Sequence, residues 1–219
     1  MIHFLLFICL ILLGFYLSVR ITGAFLYVLL KITGNKKIAV YIYSIIFAPG
    51  VFIHEASHFL AALFLLVPVG NINLLPDINE NRIRLGYVPI ASTDPFRRLI
   101  IGIAPLVVGI LTITLGTKFL IGVDGIGDSH KLLLIGFLNF QMINTMFVSK
   151  KDIEGVWILL VILFFLLLIF YFFPVGGFLN TRMLFSPSCI EIIKDTTVFL
   201  SIPLILDIIL LIFFKTAKR

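Results

Sequence analysis

Residues 99–117 form an apolar run without one formally charged side chain, and runs of this kind recur along the chain. A helix needs about 17–25 such residues to cross the hydrocarbon core of a bilayer. The others are residues 3–19, continuing past Arg20 to about 33, then 38–69, 132–148, 156–173 and 197–214. The run 38–69 is too long for one straight span, and Pro49-Gly50 inside it should kink or break the helix. The expectation is an all-α membrane protein of about six transmembrane helices.

Composition agrees. Of 219 residues, 61% are apolar and 13% charged, and mean hydropathy is +1.19. Soluble domains are about 45–50% apolar and about 25% charged, so a soluble fold, a disordered chain and a collagen-like fibre are excluded. The net charge of +6 suits basic loops against anionic headgroups. It forms no clustered basic face, so nucleic acid is not an expected partner. Lys and Arg divide almost evenly between the two sides, which leaves orientation open. Cys9 and Cys189 lie in apolar context and make no disulfide framework. The N-terminus lacks a basic n-region and an A-x-A site, so the first run is expected to stay as an anchor. The chain is expected to be one polytopic domain over 1–219, integral to the cell membrane, with the lipid bilayer as its first partner.

One connection is polar. Residues 70–98 alternate in β fashion at Asn71-Ile72-Asn73-Leu74 and Arg82-Ile83-Arg84-Leu85, with turn residues Pro76-Asp77 and Asn79-Glu80-Asn81 between. This predicts a short β-hairpin at the membrane surface.

The chemistry sits in the second run, which reads Phe52-Ile53-His54-Glu55-Ala56-Ser57-His58. This is HExxH. Side chains at i and i+4 of a helix share a face, so His54 and His58 can converge on one metal ion, and zinc is the ion such a pair suits. Glu55 is placed to act as general base toward water activated there. With four His and four Glu in the chain, chance alone gives this spacing in roughly one chain per thousand. Three ionisable groups in so short a stretch of apolar helix are costly in lipid unless partnered.

A catalytic zinc needs a third protein ligand and an open position. Asp152, Glu154 and the intramembrane Asp207 are the candidates. Asp207 could equally be a neutral carboxyl hydrogen-bonded to a neighbouring helix. His3 and His130 read as terminal and loop residues without a metal role. Asn139, Gln141 and Asn144 lie in the fourth run. Such amides either join helices or bind a substrate backbone or oxyanion.

These residues resemble the site-2 protease family of intramembrane zinc metalloproteases over roughly residues 45–160. The family pairs HExxH with a later N-x-x-P-x-P-x-x-D-G segment, whose Asp is the third ligand. Here Asn144 and Asp152 keep that spacing, while the prolines are absent and the glycine comes later, at Gly155. Ala104-Pro105 is similar to the small-residue and proline stretch that opens the family's next helix. Residues 70–98 sit where the family places membrane-associated strands. The resemblance implies a metalloprotease-like core over about 38–173 and Zn2+ held by His54, His58 and Asp152. It further implies Glu55 as general base, Asn144 as a substrate or oxyanion contact, and a membrane protein or peptide as substrate. The rival readings are a transporter that uses the buried ionisable groups, and a non-catalytic scaffold with a buried metal site.

Overall fold

In the computed structural model, residues 2–79, 82–124, 129–147, 158, 161, 162, 164, 165 and 187–216 are described. The described chain is mostly helical, with one small two-stranded sheet.

Helix α1 (Ile2–Thr33) and helix α2 (Lys36–Ile46) are joined by Gly34-Asn35. Gly34 takes φ +63°, the left-handed conformation that ends helices. Asn35 then caps α2, its side-chain oxygen accepting from the Lys37 and Ile38 backbone N–H groups. Helix α3 (Ala48–Phe64) follows immediately at an angle of 75° to α2. The expected break is therefore real, but it falls at Phe47, one residue before α3. Pro49 lies in the first turn of α3, where a missing N–H costs nothing. The long second run is thus two helices that either make one broken span or re-enter.

The end of α3 is a Schellman motif, with Leu66 N–H to the Leu63 carbonyl at 3.0 Å and Val67 N–H to the Ala62 carbonyl at 2.9 Å. Leu66 occupies the left-handed position at φ +56°, where glycine is usual.

The polar connection does form a hairpin. Strand β1 (Asp77–Asn79) pairs antiparallel with β2 (Arg82–Arg84) in the register Asp77↔Arg84, Ile78↔Ile83, Asn79↔Arg82. Asp77 and Asn79, read from sequence as turn residues, belong to the strand. Asn71–Leu74, read as the first strand, pairs further out, through the bridge Asn73↔Tyr87, and a second bridge joins Val69 and Ile90.

Helix α4 (Pro95–Asp124), helix α5 (Ser129–Thr145) and helix α6 (Pro187–Thr216) complete the described elements. Asp94 caps α4, its carboxylate accepting from the N–H groups of Phe96 (3.1 Å) and Arg97 (3.0 Å), with Pro95 in the first turn.

Three described helices are long and apolar enough to cross a membrane, in α1, α4 and α6, and α2–α3 makes a fourth if the bent pair is one span. These match three of the six expected runs, and a fourth if the bent pair is one span. Helix α5 coincides with the fourth run but has only 17 residues. The fifth run, 156–173, lies almost wholly outside the described residues.

Two apolar clusters hold the bundle together. One joins α1, α4, α5 and α6 through Ile11, Ile113, Ile143 and Leu200. The other joins α1, α2, α3 and α5 through Ile21, Tyr43, Phe47, Val51 and Phe140. Phe25 packs edge-on against Tyr43, Phe47 and Phe214. Large apolar side chains such as Leu115, Phe119, Leu133 and Phe213 point outward, as a lipid-facing surface requires.

Candidate metal centre and its surroundings

Seven residues of α3 are buried: Gly50, Val51, His54, Glu55, Ser57, His58 and Ala62. Most recur at intervals of three or four, one helical face turned inward. Its first turn presses on α5. A Cβ on Gly50 would stand 2.6 Å from Thr145 Oγ1 and 3.0 Å from the Gln141 carbonyl, so only glycine allows this approach. One turn later come His54 and His58, their ring centroids 4.8 Å apart and their planes nearly perpendicular.

His58 Nδ1 lies 2.8 Å from the Ile101 carbonyl of α4. A carbonyl can only accept, so Nδ1 carries the proton, and in the neutral ring the lone pair is then on Nε2. That is the tautomer a metal-ligating histidine adopts when its other nitrogen is tied to a backbone carbonyl. Ala62, Val67 and Ile101 form a small buried cluster that fixes the spacing of α3 and α4 at this point.

Glu55 is buried beside the hairpin. A Cβ on Gly86 would meet Val51 Cγ1 at 3.0 Å, the Asn73 carbonyl at 3.1 Å and Glu55 Cγ at 3.2 Å. The segment that follows β2 therefore runs directly against the carboxylate's stem. A cavity of about 180 Å³ is lined by Ser18, Val19, Thr22, Leu85, Asn144 and Phe147, and so reaches the segment before Gly86 but not the three motif side chains. Its polar groups and size allow several waters.

The amides of α5 all make contacts within the bundle. Asn139 Nδ2 donates to Thr117 Oγ1 of α4 at 3.0 Å. Gln141 Nε2 donates to the Ile46 carbonyl at 2.7 Å, serving an end carbonyl of α2 that has no helical donor. Asn144 Nδ2 donates to the Phe140 carbonyl (3.0 Å) and to Asp207 Oδ1 of α6 (2.9 Å). Both amide hydrogens of Asn144 are thereby engaged, so an oxyanion-donor role would require one to be released. Asp207 is fully buried, on the neighbouring helix from Asn144.

Asp152 and Glu154 lie outside the described residues. Among the described residues, no cluster of three or more His, Cys, Asp or Glu side chains is placed to hold a metal ion. What the described residues bring together is His54, Glu55 and His58. The two imidazoles, on one face and with the His58 tautomer set, fit two positions of a zinc donor set.

Pro105 does not open a helix. It stands well inside α4, which begins at Pro95. Sequence reasoning also missed the Ile101 carbonyl and Gly86. Neither carries a motif, and only the packing of α4 and the hairpin on α3 reveals them.

Comparisons with protein-family models, with curated proteins and with solved structures found no match.

Proposed function

We propose that this chain is an intramembrane zinc metalloendopeptidase of the site-2 protease type, acting on a transmembrane or membrane-proximal segment of another protein. The observation that supports this most is the buried turn His54–Glu55–His58, whose second histidine is tied through Nδ1 to a backbone carbonyl. His54 and His58 would hold Zn2+ with Asp152 as third ligand, and the ion would supply polarisation of the attacking water and the scissile carbonyl.

Glu55 takes the proton of the attacking water and passes it to the leaving amine. The extended segment at Gly86, between β2 and the bridge residue Tyr87, lies against Glu55, so a peptide paired along that segment would run past the carboxylate. Helical substrates hide their carbonyls in i→i−4 bonds, and pairing with a strand edge favours the unwound form. The cavity lined by Ser18, Thr22, Leu85 and Asn144 gives water a place within the bundle, next in the chain to Gly86.

The test is zinc analysis of the purified full-length protein, paired with hydrolysis of a transmembrane peptide in detergent or vesicles. Wild type should carry zinc stoichiometrically. Glu55→Gln should keep the zinc and lose activity by roughly 10²-fold or more. Persistent hydrolysis in that variant would remove Glu55 from its role. Asp152→Ala should lower zinc content, and unchanged content would place the third ligand elsewhere. A wild type with no affinity for zinc would overturn the whole reading.

A further inference from the structure

In an α-helix each N–H bonds the carbonyl four residues back, and proline has no N–H. Pro105, the internal proline of α4, therefore leaves the Ile101 carbonyl without its helical donor. That same carbonyl lies 2.8 Å from His58 Nδ1.

We infer that Pro105 is a positioning residue for the metal centre: it reserves the Ile101 carbonyl for His58 and so fixes the tautomer that turns Nε2 toward the ion. Its consequence for the metal rests on the function proposed above, while the tautomer itself does not. Three features carry the inference. The ring of a mid-helix proline pushes against the carbonyl four residues back and opens the helix there. Ile101 and His58 are both buried, so bulk water is a poor substitute partner and the bond is strengthened by its apolar surroundings. Finally, the Ala62–Val67–Ile101 contact holds the two helices at this spacing. An alanine at 105 would restore an N–H aimed at the Ile101 carbonyl, and His58 would then compete for its acceptor.

The experiment uses the full chain with 15N-labelled histidine rings in micelles, first with metal removed by chelation and then titrated with zinc. Wild-type His58 should show Nδ1 protonated and Nε2 bare. Pro105→Ala should show His58 exchanging between tautomers, with zinc affinity lowered about tenfold or more, the range seen when such outer partners are lost. Replacing Pro105 by the α-hydroxy acid analogue of alanine, which also lacks an N–H, should restore the single tautomer and the affinity. That variant also decides the matter if Pro105→Ala does not fold. Pro203→Ala, which alters the equivalent carbonyl of Phe199 in α6, should change neither readout. An unchanged His58 tautomer in Pro105→Ala overturns the inference, as does failure of the hydroxy-acid variant to restore it. Absence of zinc binding by the wild type overturns the peptidase reading, and the tautomer comparison still decides what Pro105 does.

Discussion

Gly50 shows how closely single atoms constrain this site. The contact it permits between α3 and α5 lies one turn before His54, so the depth of the motif helix depends on it. Gly50→Ala forces its Cβ into Thr145 or the Gln141 backbone, an overpacking of about 1–3 kcal/mol. Thermal unfolding in detergent should register the loss, and Thr145→Ser, which removes Cγ2, should recover part of it in the double variant. A double variant no more stable than Gly50→Ala would mean that the helices separate instead of repacking. His54, Glu55 and His58 could be picked out of the sequence because their spacing alone puts them on neighbouring turns. Asp207 was legible as a metal ligand or as a carboxyl hydrogen-bonded to a neighbouring helix, and the structure gives it such a bond from Asn144 of α5. Its contact with Asn144 joins residues far apart in the chain, which no local spacing encodes.

The elements themselves were set by short signals. Gly34-Asn35 separates two helices, and Asp94-Pro95 starts a third. The cap at Asp94 also makes a pH-dependent contribution. Its carboxyl is held below its ordinary value of 3.8, first by the Arg97 N–H and assisted by the Arg97 guanidinium at 3.3 Å. A lowered folded-state pKa means that its stabilisation is complete above the unfolded value. That stabilisation is lost as pH falls through the lowered value. Asp94→Ala should therefore lower the unfolding midpoint at neutral pH, and the gap from wild type should close in strong acid. A gap unchanged from neutral to strongly acidic pH would show that the carboxylate is not its source. Strand boundaries were less legible. The alternation at Asn71–Leu74 is real, yet it pairs with residues near Tyr87 and not with β2. Alternation reports which face a residue takes but not which partner it pairs with.

For the molecule as a whole, the bend of 75° between α2 and α3 decides how the motif helix sits in the bilayer. If the pair forms one broken span, the loop before Lys36 and the loop after Phe64 emerge on opposite sides. This is the outcome expected here, because together the two helices are long enough to cross. Single cysteines at Asn35 and Leu66, in a background with Cys9 and Cys189 replaced by serine, should react with an impermeant maleimide from opposite faces of sealed vesicles. Labelling of both from one face would make the pair a re-entrant loop. The sequence by itself determined the solvent of this protein, most of its helices and the identity of the convergent pair with its adjacent carboxylate. Those are matters of hydropathy and helical period, readable within a few turns. Tertiary structure alone decided which backbone carbonyl orients His58, which glycine lets the segment after β2 lie on Glu55, and which helices Asn144 and Asp207 join. Each of those depends on atoms brought together from distant parts of the chain, where packing and not local spacing sets the distance.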